Sequence, residues 1–145
     1  MMKFVIVCIA LIFLFIPHSF AAEMSEVDTG TYEWLNFNGK PTGVLDKLSR
    51  SNDGKWTSEV FLPGQGWANV SCDVGCEYRN SSLDEINKIL PSSWIENFDI
   101  TCIQNIAKAF CRFSGKTESN LNGHLIVALV TGKPITLMVH RVDQP

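Results

Sequence analysis

Two cysteines and two histidines are the side chains best suited to covalent chemistry. A thiolate of Cys72 or Cys76, with His124 or His140 as its base, would supply the residue types of a small cysteine peptidase or amidase. Catalytic cysteines favour a helix N-terminus, where the helix dipole stabilises the thiolate, whereas these two flank a predicted hairpin turn. The sequence therefore assigns no catalytic residue and keeps the Cys/His hydrolase as an alternative.

The other signatures of a chemical site are weak. Zinc could bind two of the cysteines with His124 and His140, but the chain lacks a second ligand pair at short spacing. Asp84 and Glu85 are adjacent carboxylates that would point about 100° apart on a helix, and they suit its first turn. Neither a phosphate-binding glycine loop nor a Gly-x-Ser-x-Gly elbow occurs. We therefore predict no metal and no cofactor.

The cysteines also predict architecture. Asp73-Val74-Gly75 suits a three-residue hairpin turn between strands Trp67–Cys72 and Cys76–Arg79. Opposed residues of such a pair have Cα atoms roughly 4.5–5.5 Å apart, a separation that a disulfide accepts. Four cysteines follow the signal region, and sequence alone leaves three connectivities open. The local pairing is favoured over the two interlaced ones: Cys72–Cys76 with Cys102–Cys111.

The N-terminus has the features of a signal peptide. Lys3 precedes an apolar run of about 13 residues, which is too short to span a bilayer as a helix. Ser19 and Ala21 are small residues at the −3 and −1 positions, so we predict a signal peptide at 1–21, with cleavage after Ala22 as the alternative. The expected location is periplasmic or secreted. No later apolar run reaches spanning length, so no stable membrane span is expected after cleavage.

Residues 22–145 are predicted to form a single exported, disulfide-containing domain. Removal of Lys3 leaves 11 basic and 15 acidic residues, a net charge of −4. No cluster of four or more basic residues occurs, which disfavours a nucleic-acid partner. The sequence makes no prediction of the oligomeric state.

Turn signals every 10–15 residues or so favour a mainly β fold, at the margin of α+β. We predict a single-domain antiparallel meander, small barrel or sandwich. Residues 22–28 are polar and unpatterned, so they are predicted to be a mobile lead. Besides the hairpin above, the predicted strands are Thr31–Phe37, Thr42–Arg50, Lys55–Leu62, His124–Val130 and Ile135–Val142.

A short helical insertion is predicted near residues 82–97. Ser82-Leu83-Asp84-Glu85 matches a capping box, and Pro91 should end the first helix. From Ile100 to Phe113 the periodicity fits either a helix or a hairpin. Only the hairpin opposes Cys102 and Cys111, so it is the preferred interpretation.

The tryptophans divide into predicted core residues and predicted binding anchors. Strand parity places Trp56 and Trp67 in the core. The helical insertion is expected to bury Leu83, Ile86 and Leu90 and to direct polar residues outward. The predicted binding residues are Trp94, Trp34, Glu85 and Lys88.

Because the sequence contains no convincing catalytic or metal site, it favours a small exported binding protein. The predicted partner is another protein, and the favoured class is an inhibitor or an immunity-type partner of an exported toxin. A small exported Cys/His hydrolase and a barrel that binds a small apolar ligand are the alternatives.

Overall fold

A computed structural model describes residues 23–69, 76–117 and 120–143. The predicted signal peptide (1–21) and Cys72 lie outside these residues. The mainly β prediction is confirmed, and the described residues include two α-helices and one 3-10 turn at Glu26–Asp28. The helices are α1 (Leu83–Ile89) and α2 (Ser92–Asn97). The strands are β1 (Gly30–Leu35), β2 (Pro41–Arg50), β3 (Trp56–Leu62), β4 (Gly66–Asn69), β5 (Arg79–Asn80), β6 (Phe98–Gln104), β7 (Lys108–Gly115), β8 (Asn122–Ala128) and β9 (Ile135–Arg141).

The nine strands form one antiparallel sheet in the order β4-β3-β2-β1-β9-β8-β7-β6-β5. The sheet consists of two meanders, β1–β4 and β5–β9, which join where β1 pairs with β9. The sheet curls into a half-barrel whose edges are β4 and β5. The predicted hairpin of Trp67–Cys72 with Cys76–Arg79 is therefore wrong in its described part, since β4 pairs with β3 and β5 pairs with β6.

The hairpin interpretation of residues 100–113 is confirmed. Strands β6 and β7 pair over their whole length, and Cys102 lies opposite Cys111. Their Cα atoms are 4.1 Å apart, and the two residues form a disulfide. Cys76 is also disulfide-bonded, but its predicted partner Cys72 lies outside the described residues.

The concave side of the half-barrel is filled by side chains. Tyr32 and Phe110 lie at its centre with their rings 4.9 Å apart, and both are completely buried. Trp56 is buried there as predicted. The remaining buried apolar residues of this cluster are Met24, Leu48, Ile103, Ile126 and Val139.

The convex side of β6–β8 forms a second core under the helices. Ser82 and Glu85 make the predicted capping box, with Oγ of Ser82 accepting from the Glu85 amide. Ile86 and Leu90 are buried against the strands, whereas Leu83 is 66% exposed, so its predicted burial is wrong. Leu83 is the first residue of a helix only two turns long, and the buried stripe of that helix begins three residues later, at Ile86.

Residues 23–29 are held against the sheet by contacts of Met24 and Asp28, so the prediction of a mobile lead for residues 22–28 is wrong in its described part. Met24 is 3% and Asp28 is 1% exposed. Oδ2 of Asp28 accepts from the Ser25 amide at 2.8 Å and from Nη1 of Arg112 at 2.7 Å. Met24 and Asp28 therefore anchor this segment, although its polar composition alone predicts a loop.

Candidate functional site

Trp94, a predicted anchor, lies in α2 over the convex core. It is half-buried, and its ring centroid lies 5.0 Å from that of Phe98 and 5.2 Å from that of Phe113. These contacts give Trp94 a packing role, while its remaining exposed surface can still meet a partner.

Trp34, the second predicted anchor, is a half-buried residue of β1 that packs against the concave core. Its indole N–H is buried and has no hydrogen-bond partner among the described residues. The indole nitrogen of Trp34 therefore faces the interior, and the residue contributes to the concave core.

Glu85 and Lys88 lie on α1 with different surroundings. Glu85 accepts from both terminal nitrogens of Arg79, at 2.6 and 2.9 Å, and from the Ser82 amide at 2.8 Å. The Arg79 bond is the main cause that lowers the pKa of Glu85 to about 2. Lys88 is exposed in the last turn of the helix. The structure therefore gives Glu85 a local structural role and leaves Lys88 on the surface.

A row of side chains that the sequence did not predict as binding residues crosses the convex face of β1–β4. The register aligns Glu33 with Leu45, Leu45 with Phe61, and Phe61 with Trp67. Trp67 is 47% exposed, and its ring lies 5.5 Å from that of Phe61. The predicted burial of Trp67 is therefore wrong. We call the two aromatic residues Phe61 and Trp67, together with the neighbouring Leu45, the aromatic row.

Polar residues flank the aromatic row. Two residues away from the row on each strand, Lys47 in β2 lies opposite Glu59 in β3, and Glu59 lies opposite Asn69 in β4. At the far end, Nε2 of His140 in β9 lies 3.6 Å from Oε2 of Glu33. Both helices pack elsewhere, over β6–β8. The face thus combines an apolar centre with a charged rim, the composition of many protein interfaces.

The concave side contains a buried polar cluster of three residues. Nζ of Lys108 contacts Oδ2 of Asp46 and donates to Oγ of Ser58 at 2.8 Å. Ser58 in turn donates to Oδ1 of Asp46 at 2.6 Å. Burial lowers the pKa of Lys108, and the neighbouring carboxylate opposes this effect only in part. Sequence reasoning missed this cluster because its members are far apart in the chain.

A second polar cluster centres on Asp28. Besides Arg112, its carboxylate contacts Nε2 of His124 at 3.0 Å, and its carbonyl accepts from the Tyr32 hydroxyl at 2.7 Å. Burial raises the pKa of Asp28, but the bonds to His124 and Ser25 and the charge of Arg112 outweigh it, so the net shift is downward. This arrangement anchors the N-terminal segment.

No family model, curated protein or solved structure matches the chain. Within the described ranges, no group of three or more His, Cys, Asp or Glu residues is arranged to hold a metal ion. In the same part of the chain, no helix is both long and apolar enough to cross a membrane.

Proposed function

We propose that this protein is a small exported binding module whose partner is another protein, of the inhibitor or immunity class. The aromatic row is its central contact surface. The observation that carries the proposal is the exposure of Trp67 beside Phe61 on a sheet face that neither helix covers. Tryptophan is enriched among the residues that dominate binding energies.

The shape of the row supports a protein partner over a small molecule. Leu45, Phe61 and Trp67 occupy three adjacent strands, so they span about 10 Å at the usual spacing between strands. The surface that they form is convex, whereas small-molecule sites are concave. Lys47 and Glu59 beside the row offer charges of both signs for orientation of a partner.

The two alternatives from the sequence receive less support. Cys76 is disulfide-bonded, and Cys102 is bonded to Cys111, so these three sulfurs are not available as thiol nucleophiles. The space that a small apolar ligand would occupy in a barrel is filled here by Tyr32, Phe110 and their neighbours.

Photo-crosslinking can identify the partner and locate its contact surface. A photoreactive phenylalanine analogue at position 67 should capture a defined partner in the native extract. The same analogue at Thr136, on the convex face of β9, is the control and should capture less. The captured protein is then purified and its affinity for the unmodified chain is measured.

Trp67→Ala and Trp94→Ala then separate the two candidate anchors. We expect Trp67→Ala to weaken binding by about 2 kcal/mol or more and to change the melting temperature little, since half of the ring is already exposed. Trp94→Ala should lower the melting temperature through lost contacts with Phe98 and Phe113, and any loss of affinity would support the anchor predicted from sequence. Unchanged affinity in a folded Trp67→Ala variant would contradict the proposed surface.

A further inference from the structure

Lys108 and Asp46 form a buried pair on the concave side of the half-barrel. Lys108 begins β7 and Asp46 lies in β2, and strands β1, β9 and β8 separate them in the sheet order. The side chains are 9% and 0% exposed, and Nζ contacts Oδ2 directly. The curl of the sheet thus holds an amine against a carboxyl group at a site with little access to water.

We propose that Lys108 and Asp46 condense into an intramolecular amide that cross-links β2 to β7. The new bond joins Nζ of Lys108 to Cγ of Asp46, and one carbon–oxygen bond of the carboxylate breaks. The ammonium gives up two protons, which leave with the released oxygen as water. Atoms and charge balance, and the reaction needs no oxidant, reductant or activating group.

Ser58 is placed to carry the proton between the reacting groups. Its Oγ accepts from Nζ of Lys108 at 2.8 Å and donates to Oδ1 of Asp46 at 2.6 Å. A proton that leaves the nitrogen can therefore reach the departing carboxyl oxygen through one hydroxyl, as in general acid–base catalysis. Burial lowers the pKa of Lys108, which favours the neutral amine that attacks the carboxyl carbon.

Burial and proximity also favour the product over the ion pair. Two charges held in an interior site lose their hydration, and an amide removes both charges at once. Well-oriented groups in one molecule react as if present at effective concentrations on the order of 10⁵–10⁸ M. This proximity speeds formation of the amide, and the low exposure of both side chains opposes the hydrolysis that would otherwise prevail in water.

A pocket beside Ser58 has room for the released water. A pocket of about 180 Å³ includes Ser58 in its lining, together with Tyr78 and Asn105. Burial and the charge of Asp46 raise the pKa of the Tyr78 hydroxyl, so this group stays neutral beside the reacting pair. The pocket therefore adjoins Ser58 without bringing a charged side chain to it.

Mass spectrometry of the exported, folded chain tests the proposal directly. After reduction and denaturation, the protein should be lighter than its sequence by the mass of one water molecule. Trypsin should fail to cleave after Lys108, because an amidated lysine is not a substrate. The expected product joins the peptide that ends at Lys47 to the peptide Ile89–Arg112.

Two controls make the result specific. Lys108→Arg keeps a cation beside Asp46, but the guanidinium stays protonated and cannot attack, so this variant should have the unmodified mass. Lys116→Arg changes an exposed lysine in the same half of the sheet and should retain the loss of water. Fragment spectra must also exclude dehydration at Asp53-Gly54, a dipeptide that can cyclise to a succinimide.

A folded wild-type protein with the full mass of its sequence would overturn the proposal. A loss of water that maps to Asp53-Gly54 in the fragment spectra, or that persists in Lys108→Arg, would overturn it as well. The result is independent of the binding function proposed above, since no partner takes part in the measurement.

Discussion

The two halves of the sheet differ in what covers their convex faces. Over β6–β8, helices α1 and α2 bury Ile100, Phe113 and the Cys102–Cys111 disulfide. Over β1–β4, the same face carries the aromatic row, and Trp67 remains 47% exposed. Among the described residues, one half thus has a core on each side of the sheet, and the other half has a core on its concave side alone.

This difference separates stability from recognition. Residues under the helices contribute mainly to the free energy of unfolding, because their apolar surface is already removed from water. Residues of the aromatic row retain apolar surface, which a partner can still bury. Substitutions in the two halves should therefore affect different measurements.

The largest contrast is expected between Phe113→Ala and Phe61→Ala. Phe113 is 6% exposed and contacts the rings of Trp94 and Phe98, so its truncation should lower the free energy of unfolding by about 3–5 kcal/mol. Phe61 is half-buried on the uncovered face, and its truncation should cost about 1 kcal/mol. Urea denaturation of both variants checks the ranking, and equal losses would refute the division between the halves.

Local sequence signals were interpreted correctly in the covered half, whereas the exposure of the other half was not. The capping box at Ser82 and the opposed Cys102 and Cys111 are local signals, and both predictions are confirmed. The exposure of Trp67 depends on which face of β4 the helices leave free. Strand parity divides residues into two faces but does not say which face is covered.

Long-range contacts explain the remaining failures. Lys108 meets Asp46 across 62 positions of chain only because the sheet curls. Asp28 is likewise buried by residues of β7 and β8, 84 and 96 positions later in the sequence. Periodicity within one strand contains no information about either partner. The sequence therefore predicted most strands and missed both buried polar clusters.

A second test concerns Asp28, which attaches the N-terminal segment to the covered half. Asp28→Asn removes the negative charge beside Arg112 and His124, and the loss of a buried partner should cost about 3 kcal/mol near neutral pH. The folded-state pKa of Asp28 lies below its ordinary value of 3.8. Its contribution is therefore complete well above that ordinary value and is lost as the pH falls through the lower, folded-state value.

Urea denaturation of wild type and Asp28→Asn at several pH values measures this dependence. The difference in unfolding free energy between the two proteins should shrink as the pH falls below 3.8. Asp99→Asn is a suitable control, because Asp99 is an exposed residue of β6 and a surface carboxylate should contribute little. A difference that stays constant from neutral to strongly acidic pH would contradict the assigned role of the carboxylate.

The smallest effect is expected at His140, which shares the uncovered face with the aromatic row but lies at the opposite end from Trp67. Its side chain is 44% exposed, and its contact with Glu33 is a surface pair, so His140→Gln should change the free energy of unfolding by less than about 0.5 kcal/mol. Partner binding should stay within about 1 kcal/mol of wild type, because β1, β2 and β3 separate His140 from β4. Thermal denaturation and the binding assay used for Trp67→Ala measure both quantities. A loss of affinity at His140 as large as at Trp67 would extend the contact surface across five strands, and a loss at His140 alone would move it away from the aromatic row.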